Sequence, residues 1–164
     1  MTKRSTYITL KTYRKLLKKI REEYKAIGCS FVLYRRPILW SAVKSGYHRR
    51  YGTIYGRAFP SQMKACVTTR GKISRAEILG VIAHELRHLQ HISQGIYQKY
   101  YQEDLSNCPI YTGFRAEQDC DKFALKWLKD NGIIINKEKF ITSIYHDYIL
   151  YKCFYGSLFQ KIRS

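Results

Sequence analysis

The chain has 164 residues, enough for one domain with a real apolar core and too few to expect two. With 45% apolar and aromatic residues and 3 prolines, the composition points to a folded globular protein rather than a disordered one. The formal net charge is +18, and it is lopsided: residues 1–75 hold 19 Lys/Arg against Glu22 and Glu23, whereas residues 76–164 hold 11 basic and 10 acidic side chains.

Such asymmetry leaves open a nucleic acid, an anionic membrane surface or an acidic protein as partner, beside a plain Lys-rich solvated surface. No window approaches about 18 continuous apolar residues, so no membrane span is expected. Residues 1–6 lead into a basic amphipathic stretch with no apolar signal core. A cytoplasmic protein is therefore expected, or one packed inside a virion or nucleoprotein particle. Five cysteines lie scattered with no C-x-x-C pair, which fits reduced structural thiols.

In chain order, residues 8–27 repeat apolar positions at helical spacing, from Ile8 through Leu16, Ile20 and Tyr24 to Ile27, with Gly28 as the stop. The other side is a basic stripe of Lys11, Arg14, Lys15, Lys18, Lys19 and Arg21. Strand-like runs follow at Cys29–Tyr34, Ile38–Val43, Gly52–Phe59 and Met63–Thr69. They predict a small, mostly antiparallel sheet.

Ser74-Arg75-Ala76-Glu77 reads as a capping box opening a helix through about Ser93. A loop-rich stretch comes next, with a short helix around Tyr97–Glu103. A further helix is expected over Phe114–Lys129, buried along Cys120, Phe123, Ala124, Trp127 and Leu128. Asn136 can cap a C-terminal helix over Lys137–Tyr155. The fold class is α+β, a single domain over 1–164: a basic helix plus sheet in 1–75, and further helices in 76–164.

The capped helix contains His84-Glu85-Leu86-Arg87-His88, the pattern H-E-x-x-H. Four residues of helix advance about 400°, stacking the two imidazoles roughly 6 Å apart along the axis. Both can then reach one zinc ion, while Glu85 sits beside it without being aimed at it. A carboxylate so placed can take a proton from water and pass it to a leaving amine.

A third protein ligand is needed if a position is to stay open. His91 is three residues past His88, but about 10.5 Å along the axis from His84, so a supporting or surface role is expected. Glu117 is the better candidate, with Asp121 one turn later to accept the spare N–H of a liganding histidine. Both border the apolar stripe of their helix, a costly place for carboxylates unless a positive charge meets them. Asp119 reads as the most exposed acid of that group.

H-E-x-x-H followed by a helix bearing E-x-x-x-D-x-F-A resembles the gluzincin metallopeptidases, HtpX-like and minimal soluble relatives among them. ImmA/IrrE-type and SprT-type proteases are similar in their shorter layouts. The resemblance covers roughly residues 52–130. It implies a zincin-like fold and one zinc ion on His84, His88 and Glu117. It also implies Glu85 as general base, Asp121 in support, and an extended polypeptide as substrate. Cys120 departs from the alanine that HtpX-like sequences carry there. Zincins offer their substrate an edge strand before the metal helix, for which Met63–Thr69 is the candidate. The oxyanion donor stays open among His146, Tyr145, Tyr111 and Arg115, with His146 first because gluzincins use a downstream histidine.

Three functions remain in play: a zinc endopeptidase, the same enzyme anchored on nucleic acid by its basic half, and a basic nucleic-acid-binding or structural protein with a retained, non-catalytic site. Intact Glu85 weighs against the third, since a metal scaffold has no use for it.

Overall fold

The structure is a computed structural model, and it describes residues 7–35, 56–69, 74–96, 98–100 and 114–135. The expected strand at Ile38–Val43, the C-terminal helix over 137–155 and most of the short helix near 97–103 lie outside these residues.

Helix α1 (Leu10–Ala26) starts at Thr9, whose hydroxyl accepts from the Thr12 backbone at 3.1 Å. Leu16, Ile20 and Tyr24 recur every four residues and are buried, so the apolar stripe read in the sequence is the face turned to the core. Tyr24 carries a hydroxyl inward and satisfies it by donating to the Ile82 carbonyl at 2.8 Å. The helix stops at Gly28 with φ +70°, a left-handed turn that lets Cys29 N–H return to Tyr24 O at 2.9 Å.

Among the described residues three strands form one sheet: β1 (Ser30–Tyr34), β2 (Gly56–Phe59) and β3 (Lys64–Thr68), in the order β1-β3-β2. β2 and β3 pair antiparallel, joined through the 3-10 turn Pro60–Gln62 and Met63. β1 pairs with β3 in parallel, Phe31 opposite Ala65 and Leu33 opposite Val67. The sheet is thus mixed rather than mostly antiparallel. Turn residues announce the local hairpin, but the β1–β3 pairing spans a long connection and has no local signal.

The edge role expected of Met63–Thr69 is also corrected. β3 is the central strand, with Ala65, Cys66, Val67 and Thr68 all buried. Its backbone is consumed on both sides, so among the described strands the edges are β1 and β2.

Helix α2 (Arg75–Ser93) begins with a complete capping box: Glu77 N–H donates to Ser74 Oγ at 3.2 Å, and Ser74 N–H to Glu77 Oε2 at 2.7 Å. It is the central helix, packed against α1, α3, β2 and β3. That is why Ile78, Leu79, Val81, Ile82, Ala83, Leu86 and Leu89 are buried around most of its circumference.

Helix α3 (Phe114–Asp130) lays Ala116, Cys120, Ala124, Trp127 and Leu128 into the core. Trp127 Nε1–H donates to Glu23 at 2.9 Å, tying α3 to α1. The described chain is α+β, and none of its helices is long and apolar enough to cross a membrane.

Candidate metal centre

His84 and His88 lie one turn apart on α2, and their Nε2 atoms face each other at 3.0 Å. Glu117, from the first turn of α3, puts Oε2 3.0 Å from His84 Nε2 and Oε1 3.0 Å from His88 Nε2. Asp121, one turn later, puts Oδ1 2.7 Å from His84 Nδ1. Asp121 accepts the hydrogen of His84 Nδ1, so Nε2 is the ring nitrogen that would offer its lone pair to a metal ion.

Atoms that bear lone pairs therefore converge from two helices. A tetrahedral ion with bonds of 2.0–2.1 Å has ligand–ligand edges of about 3.3 Å, and the observed separations of 3.0 Å are a few tenths shorter. Charge points the same way. Burial disfavours a charged His84, yet hydrogen bonds that its ring donates to Asp121 and Glu117 hold its pKa well above the ordinary histidine value. Burial would raise Glu117, yet the charge of His88 and hydrogen bonds from both imidazoles hold it far below the usual carboxylate range. The cluster is built to enclose a positive charge. Asp121 adds to this: it is 3% exposed, and its Oδ2 has no hydrogen-bond partner among the described residues. A cation beside His84 would offset that buried anion.

His84, His88 and Cys120 also offer ligand atoms within 4.8 Å of one another, and this buried group could hold a metal ion. Cys120 and Glu117 thus compete as third ligand. Burial, followed by the nearby acids Glu117, Glu85, Asp119 and Asp121, pushes the Cys120 thiol well above its ordinary pKa. Its sulfur also lies 3.9 Å from His91 Nδ1. Glu117 instead offers one carboxylate oxygen to each imidazole at 3.0 Å.

Glu85 is 6% exposed, with its carboxylate against β2 at Gly56. Burial is the largest influence on its carboxyl and raises its pKa. The charges of His84 and His88 and a hydrogen bond from the Ala58 backbone only partly oppose this. The result is a stronger base than a solvated carboxylate. β2 runs directly beside it, and only glycine fits at position 56. A Cβ there would lie 2.6 Å from Glu85 Oε1 and 2.6 Å from Val81 Cγ1.

A second inter-helix cluster was missed in the sequence. Asp119 is not the exposed acid expected: its Oδ2 accepts from Arg87 Nε and from His91 Nε2, each at 2.7 Å. His91 is not on the surface either. It is fully buried between Asp119, Cys120 and the Tyr100 ring. Arg87 and His91, four apart on α2, were the available signal, because they face α3 just as His84 and His88 do. His146, Tyr145 and Tyr111 lie outside the described residues. Arg115 falls in the first turn of α3, its side chain outside them too.

No protein-family model, no curated protein and no solved structure matches this chain.

Proposed function

We propose that the protein is a zinc-dependent metallopeptidase of the gluzincin type, with His84, His88 and Glu117 as zinc ligands and Glu85 as general base. The observation that carries the reading is the meeting of two imidazole Nε2 atoms and one carboxylate at 3.0 Å, with a buried glutamate adjacent in sequence to the first histidine.

When bound, zinc supplies Lewis-acid polarisation of a peptide carbonyl and makes water easier to deprotonate. The protein's own groups do the rest. Glu85, with its raised pKa, takes a proton from the attacking water and returns it to the leaving amine as the C–N bond breaks. Its carboxylate is held by the Ala58 backbone, so it waits in one position rather than several. Asp121 keeps His84 in the tautomer that presents Nε2. An extended polypeptide would add to the outer edge of β2, the described edge strand that touches Glu85.

The test is cleavage of unstructured protein by wild type and by Glu85→Gln, with zinc measured in both. Equal zinc content and a loss of about 10²- to 10⁴-fold in rate are expected in the variant. A basic structural protein with a retained site would bind zinc and cleave nothing in either form.

A further inference from the structure

The basic stripe of α1 plays no part in the metal site, and its geometry is specific. Lys11, Arg14, Lys15 and Lys18 are all exposed. At 100° per residue they fall within an arc of about 100° on the helix wheel, centred almost opposite the buried stripe of Leu16, Ile20 and Tyr24. Among the described residues no carboxylate pairs with any of the four. The other α1 cations are engaged: Lys19 with Asn131, Lys25 with Glu22, and Arg21 over the Phe31 ring. Four like charges thus share about 10.5 Å of helix, and Glu22, one turn past Lys18 on the same face, is paired with Lys25 rather than with any of them. Self-repulsion makes such a face costly unless a polyanion neutralises it.

We propose that this face is a docking surface for the phosphate backbone of duplex nucleic acid. Two features favour that occupant over other anions. A helix that adsorbs to a membrane buries an apolar face in the lipid, and α1 has spent its apolar face on the core. A protein partner would need an apolar centre to its interface, and the arc from Lys11 to Lys18 holds only the four cations. A regular row of phosphates needs neither. The surface stands whether or not the metal site is catalytic.

The experiment measures binding of the full chain to a mixed-sequence DNA duplex of about 20 base pairs across a salt series. Three proteins are compared: wild type, the variant K11Q/R14Q/K15Q/K18Q, and a control with equal charge removed elsewhere, K99Q/K122Q/K126Q/K129Q. Wild type should bind at about 50 mM salt and weaken steeply towards 200 mM. The α1 variant should lose on the order of 10²-fold in affinity and about 3–4 from the slope of log K against log salt, the control much less. Circular dichroism checks the fold, and if the quadruple variant fails to fold, K11Q/K15Q should still lose about 2 from the slope. Three results would overturn the proposal: no binding at low salt, equal losses in both variants, or capture by phosphatidylserine vesicles with none by the duplex.

Discussion

Asp121 holds Nδ1 of His84 at 2.7 Å while its own second oxygen stays buried without a hydrogen-bond partner among the described residues. A half-satisfied carboxylate 3% exposed makes sense as a counter-charge to a cation one imidazole away. Asp121→Asn should therefore weaken zinc binding by about 10- to 100-fold while the chain still folds, measured by competition with a chelator. An unchanged affinity would mean the contact serves packing alone.

Asp119 joins Arg87 and His91 across the α2–α3 interface at the level where Glu117 must meet the histidines. Asp119→Ala leaves the His91 ring buried and short of an acceptor, at a cost of about 1–3 kcal/mol. Denaturant unfolding reads that loss. Zinc affinity should fall as well, since nothing else described pins that flank of α3 to α2 through charge.

Tyr24 gives a pH signature of folding. Burial, then the nearby Glu85, Cys29 and Cys120, holds its phenol well above the ordinary tyrosine value. The native state therefore keeps the proton when the unfolded chain loses it. The Tyr24 contribution is complete below pH ~10 and declines as pH rises past it. Tyr24→Phe should cost about 1 kcal/mol near neutrality through the lost bond to Ile82 O. Wild-type stability should also fall more steeply than the variant's in an unfolding series above pH ~10. Parallel alkaline limbs would count against a buried, neutral phenol.

Gly56→Ala adds a methyl where the nearest atoms of Glu85 and Val81 are 2.6 Å away. The Glu85 carboxylate can swing aside, but Val81 sits on a buried helix, so β2 must lift or the base must move. kcat should fall roughly 10- to 100-fold with zinc content intact. Loss of zinc in this variant would indicate a displaced α2 instead.

How much of this could be read beforehand depended on the range of the interaction. His84 and His88 meet because of helical period alone, and Ser74 with Glu77 marks the helix start within four letters. The Glu117–Asp121 pair was legible because two acids one turn apart beside a buried stripe need a reason to be there. The parallel β1–β3 pairing was not legible, for its partners are separated by a long connection. The placement of β3 was misread for a related reason: an apolar strand looks alike at the centre or the edge until its neighbours are known. Asp119 was assigned outward and His91 to a supporting or surface role because each was judged on its own helix. The burial of His91 and the pairing of Asp119 arise only where α2 and α3 meet.

Zinc titration of the metal-free protein, with a competing chelator, bears most directly on the convergence of His84, His88 and Glu117. Wild type, Glu85→Gln and Cys120→Ala should each bind about one ion tightly, and Glu117→Ala should lose most of that affinity. Tight binding that survives in Glu117→Ala and vanishes in Cys120→Ala would make the thiol the third ligand and contradict the carboxylate site.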